Sequence, residues 1–114
     1  MTNKPDLPEN PVGFINHCLR RGGVFWTYHV NMRLAGRFIA RDSILKAVDA
    51  IEIVESYTDD KYLPSYLVLG RFGAGVSHVV IAVDVPGDNI RIITAYRPSS
   101  AEWLDDMKTR RPKR

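Results

Sequence analysis

The chain has 114 residues, 45% of them apolar and 25% charged, with a formal net charge of +3. That length suits a single domain, and the apolar share is enough for one core. The longest apolar run, Val79 to Val83, stops at Asp84, far short of the roughly 18 residues a membrane helix needs. The first residues, Met1-Thr2-Asn3-Lys4-Pro5-Asp6, are polar and lack a signal-peptide core. Cys18 is the single cysteine and has no internal disulfide partner. A cytoplasmic protein that does not touch the membrane is the expectation.

Residues 1–9, with Pro5 and Pro8, read as an extended arm. Asn10 before Pro11 is a helix start, an N-cap side chain followed by a residue that needs no amide donor. Val12, Ile15, Cys18 and Leu19 recur at helical spacing, and Gly22-Gly23 closes the segment. Val24 to Tyr28 has strand composition and leads into a short helical pattern through His29, Met32 and Arg33 that Gly36 breaks. Near Asp42 another short helix begins, with Ile44, Leu45, Val48 and Ile51 on its apolar face.

Strands dominate the remainder. Ile51–Tyr57 alternates, Ser65–Arg71 follows, and Gly73-Ala74-Gly75 reads as a hairpin connection. Val76–Val85 is almost wholly apolar in its middle, which predicts a central strand; Pro86-Gly87-Asp88-Asn89 is a turn, and Ile90–Arg97 is the fourth strand. On it, strict alternation puts Ile92, Thr94 and Tyr96 on one face and Arg91, Ile93, Ala95 and Arg97 on the other. Ser99 to Glu102 has the form of a capping box, predicting a final helix over about 101–109. Helices first, a strand meander, then a closing helix predict one α+β domain at 10–109 with helices on one sheet face, and a basic tail at 110–114.

Tyr28-His29-Val30-Asn31-Met32-Arg33-Leu34 with Arg37-Phe38-Ile39, Ile53 through Lys61, Leu63 to Val68, His78 to Asp84, Ile93 to Pro98 and Trp103 follow one another in family order. These blocks resemble the DUF4258 family, and through it the RelE and MqsR-like toxins. The resemblance implies a RelE-like fold: about four antiparallel strands, N-terminal helices on one face and a short C-terminal helix. It also implies the toxin of a toxin–antitoxin pair, an endoribonuclease acting on mRNA. Its implied partners are RNA, a cognate antitoxin such as the MqsA-like zinc-finger type, and the ribosome.

Metal-independent RNA cleavage needs a base for the 2′-hydroxyl, an acid for the 5′-oxygen and cations for the phosphate. His29, Arg33 and Arg37 fall at i, i+4 and i+8, so one helix face would carry an acid or base and two phosphate clamps. The alternative is a locally packed His29 with arginines paired to the acidic sheet edge. Tyr96 at a strand end could donate a proton, or be a half-buried ring with a solvated hydroxyl. His78, just before the apolar run, reads as a structural histidine unless it faces Tyr96 across two adjacent strands. Arg41 and Arg97 are the further candidate RNA-phosphate contacts, while His17 carries no assigned role.

Charge is unevenly placed. Arg20, Arg21, Arg33, Arg37, Arg41 and Lys46 stand against Asp42 alone, and the last residues are again basic, around an acidic middle. Such blocks attract phosphates, or simply form a solvated helix face and a solubilising tail. Asp59-Asp60-Lys61 reads as a solvated loop, and one cysteine with three scattered histidines lacks zinc-ligand spacing. No metal or cofactor is expected. Against the ribonuclease stand a non-catalytic RelE-like binding module contacting RNA or a protein, and a homo-oligomer formed through a sheet edge.

Overall fold

In the computed structural model, which describes residues 7–27, 41–59, 63–72 and 75–112, the chain enters its first element as the sequence dictates. Helix α1 (Pro11–Arg21) starts with the Asn10 side chain accepting the Gly13 amide at 3.0 Å. It stops at Gly22, whose φ of 78° is left-handed, and the Gly23 amide donates back to the Cys18 carbonyl at 2.9 Å. Asn10→Ala removes the cap and is expected to lower stability by about 1 kcal/mol, read as a shift in the denaturant midpoint at constant slope.

Strand β1 (Val24–Trp26) leaves this cap directly. A short helix α2 (Arg41–Leu45) precedes β2 (Ile51–Tyr57), β3 (Ser65–Phe72), β4 (Gly75–Asp84) and β5 (Asn89–Tyr96). The sheet order is β1-β5-β4-β3-β2. β2 to β5 form an antiparallel meander, whereas β1 pairs in parallel with β5, the Ile90 amide donating to the Gly23 carbonyl at 2.9 Å. β4 lies in the middle, as its apolar run requires.

This layout corrects the expected RelE-like fold of four antiparallel strands with several N-terminal helices and a C-terminal helix. The sheet is five-stranded and mixed, because the β-branched and aromatic run Val24-Phe25-Trp26 joins it as an edge strand. Of the expected N-terminal helices, α1 and the five-residue α2 are formed among the described residues. The stretch through His29 and Arg33 lies outside them.

The C-terminal helix is also absent. Ser99 does begin a turn, its Oγ accepting the Ala101 amide and its carbonyl accepting those of Glu102 and Trp103. The chain then reverses at Asp106, whose carboxylate accepts the amides of Lys108 and Thr109 and the Thr109 hydroxyl. Met107 takes a left-handed φ of 58°, and Trp103 and Arg110 meet in an antiparallel bridge. An aspartate that captures backbone amides competes with helical hydrogen bonding, and here it wins. Residues 99–112 thus make a strap.

The two sheet faces have separate coverings. Ile15, Cys18 and Leu19 of α1 pack on Tyr66, Val68, Val79, Ile81, Val83, Ile90, Ile92 and Ala95. The strap lies over the opposite face. Two register shifts decide which residues look which way. One, between Ile53 and Glu55, turns Glu55 to the strap side beside Leu67; the other sets Val80 opposite Thr94 but Ile81 opposite Ile92. The second shift corrects the strict alternation read from sequence: Ile92 and Ala95 are both buried in the α1 core, while Thr94 and Tyr96 face the strap side.

Candidate functional site

On the strap side, β4 and β5 set His78 directly opposite Tyr96. The imidazole is wholly buried, with ring contacts at near right angles to Trp103 (centroids 4.5 Å apart) and edge-on to Tyr96 (5.4 Å). His78 Nε2 lies 2.6 Å from the Met107 carbonyl oxygen. A carbonyl only accepts, so Nε2 carries the proton, and Nδ1 presents its lone pair to the Tyr96 hydroxyl at 3.3 Å. Burial pushes the imidazole below its ordinary range, opposed by the Met107 hydrogen bond and by Glu55. His78 is therefore neutral near pH 7 and accepts from Tyr96.

The strap that encloses this pair is fastened by charge. Arg110 donates to both carboxylate oxygens of Glu55, at 2.7 and 3.0 Å, while its guanidinium lies 4.5 Å from the Trp103 ring centre. Lys108 reaches Glu52 at 2.9 Å, and Tyr57 donates to Glu55. The Arg110 hydrogen bond is the main cause holding the Glu55 carboxyl below the usual range, and that of Lys108 does the same for Glu52. Asp106 is held at about 2, chiefly by the Lys108 amide.

Acid acts on all of these in one direction. Carboxylates with lowered folded values stabilise above their unfolded values, and that stability is lost as pH falls through the folded ones. A buried neutral histidine adds the same sign below the ordinary imidazole value of 6.5. The strap is thus expected to lift from the sheet as pH falls from neutral through the carboxylate range, before α1 melts. Trp103 fluorescence in a Trp26→Phe background should redden ahead of the loss of far-ultraviolet ellipticity; coincident transitions would show that strap and core open together.

The structure brings His78 and Tyr96 together. Arg97 follows Tyr96, and its Nη1 points to the Val76 carbonyl at 3.5 Å near the start of β4. Arg41 stands elsewhere, its guanidinium 4.7 Å over the Trp26 ring. His29, Arg33 and Arg37 lie outside the described residues. Sequence reasoning missed Glu55, Trp103, Met107 and Arg110 as neighbours of His78. Trp103 carried a legible signal, as the large aromatic residue that follows the last strand, but Met107 contributes only a backbone carbonyl that no side-chain pattern announces. Among the described residues there is no cluster of three or more His, Cys, Asp or Glu suited to a metal.

A family model described as a domain of unknown function, DUF4258, matches residues 26–97. The chain belongs to the DUF4258 family. The DUF4258 match starts at Trp26, the last residue of β1, takes in β2 through β5 with His78 and Tyr96, and stops before the strap. No curated protein and no solved structure matches the chain. No helix among the described residues of this DUF4258 protein is long and apolar enough to cross a membrane.

Proposed function

We propose that this DUF4258 protein is the toxin of a toxin–antitoxin pair and cleaves messenger RNA without a metal, with Tyr96 meeting the RNA. The observation that carries this reading is the Tyr96 hydroxyl hydrogen-bonded to the neutral, buried imidazole of His78 at a strand end, with Arg97 next in the chain. As the RNA 2′-oxygen attacks its phosphorus, its proton passes to the Tyr96 oxygen and the tyrosine proton to His78 Nδ1. The 5′-oxygen leaves with a proton from an acid, one of the two roles that its spacing with Arg33 and Arg37 opens to His29. The products are a 2′,3′-cyclic phosphate and a 5′-hydroxyl. Arg97, with Arg33 and Arg37, supplies cations for the phosphates. His78 acts through Tyr96, as the base that takes up the tyrosine proton. The cognate antitoxin neutralises this activity.

One observation favours a second reading, a non-catalytic module that binds RNA or a protein. Both ring nitrogens of His78 are engaged and the ring is shut behind Trp103, which suits a structural histidine. Induced expression separates the two. Wild type should arrest growth with loss of total RNA, and Tyr96→Phe, His29→Ala and Arg33→Ala should each relieve the arrest. Normal growth with intact RNA, in cells shown to contain folded wild-type protein, would favour the binding module.

A further inference from the structure

The strap covers only part of its face. Glu52 and Glu55 on β2, Leu67 and Leu69 on β3 and His78 on β4 lie on the side it crosses, whereas towards β5 and β1 the same face carries the exposed side chains of Phe25 and Arg91. Phe25 on β1 is 58% exposed although its neighbours Val24 and Trp26 pack against the core. In parallel register it stands beside Arg91, which is paired with Ala82 and so faces away from α1. Thr94 and Tyr96 continue the row along β5, and the Thr94 hydroxyl oxygen is buried with no hydrogen-bond partner among the described residues.

We infer that Phe25 and Arg91 form a platform for single-stranded RNA, which leads the strand to Tyr96. This deepens the ribonuclease reading and rests on it for the choice of ligand. An exposed aromatic ring on an open sheet face is the element on which unpaired bases stack. Arg91 supplies a phosphate contact beside it. Its nearest carboxylate, Asp84, lies 3.8 Å away and is already occupied by the Gly87 amide and the Asn89 side chain. Glu52 and Glu55 on the same face are neutralised by Lys108 and Arg110, so they do not repel a nucleic acid. From Ala82 to His78, the partners of Arg91 and Tyr96, the strand advances about 13 Å, room for a short run of nucleotides.

The test measures fluorescence anisotropy of a labelled single-stranded RNA made uncleavable by 2′-O-methylation, across a salt series, with cleavage of ordinary RNA followed in parallel. Phe25→Ala should weaken binding at least about fivefold, the loss of one stacked base. Arg91→Gln should weaken it and reduce the salt slope by about one. Arg20→Gln, an equal charge change on α1 across the sheet, should leave binding unchanged. Circular dichroism checks each fold, and Phe25 is too exposed for its truncation to open the core. Undiminished binding by Phe25→Ala, or equal loss with Arg20→Gln, overturns the platform. So does a folded wild type that binds no RNA at low salt, which would point to a protein partner instead. Phe25-dependent binding without cleavage keeps the platform and removes the ribonuclease; cleavage indifferent to Phe25 does the reverse.

Discussion

Trp103→Ala is expected to cost about 3–5 kcal/mol, the usual loss when a fully buried large aromatic side chain is truncated. For a domain whose whole stability is on the order of 5–15 kcal/mol, that is a large share. The side chain is 1% exposed, stands edge-on to the His78 ring and carries the Arg110 guanidinium on its own face. Removing it opens a cavity over His78 and leaves Arg110 without its aromatic support. Trp103→Phe should recover part of the loss, because it keeps a ring against His78. Chemical denaturation of the three proteins checks this. A cost below about 1 kcal/mol would mean that the strap rests on the sheet without contributing to its stability.

Tyr96→Phe should reduce RNA cleavage by about 10²–10⁴-fold, the usual contribution of a positioned proton-transfer group. The substitution removes one oxygen and keeps the ring that packs on His78, so stability should change little. Its second readout is the pH profile. In the wild type, cleavage should fall as pH drops below the ordinary imidazole range, because protonated His78 no longer accepts from Tyr96. In Tyr96→Phe the residual activity should lose that acid limb. A variant that cleaved as the wild type does, with the same profile, would remove Tyr96 from the chemistry.

Elements governed by local rules were legible in the sequence. The Asn10-Pro11 start and Gly22-Gly23 stop of α1 are set by backbone donors and φ angles, and the structure places them where the residues indicate. The span of β2, Ile51–Tyr57, follows from alternation alone. Non-local choices were not legible. Val24-Phe25-Trp26 has strand composition, but nothing in it says that its partner is β5, far along the chain and parallel. The capping-box pattern at Ser99 predicts a helix, and its first turn does form. Asp106 then takes the amides of Lys108 and Thr109, and pairing of Arg110 with Glu55 and Lys108 with Glu52 holds the chain as a strap.

The candidate site divides along the same line. His78 and Tyr96 were each singled out, and a facing position was the condition for reading them as a pair; the register meets that condition. The surroundings of His78 were hidden, because Met107 acts through its backbone and Arg110 through a strap that sequence reads as helix and tail. The extra residue between Ile92 and Thr94 also escaped detection, although it determines that Thr94 and Tyr96 share the strap side with Arg91.

The most direct measurement incubates purified, folded wild-type protein with single-stranded RNA in excess chelator and identifies the ends of any fragments. The proposed chemistry predicts cleavage that survives the chelator, leaves 2′,3′-cyclic phosphate and 5′-hydroxyl ends, and is lost in Tyr96→Phe. Intact RNA, or fragments with 5′-phosphate ends that vanish with the chelator, would contradict it.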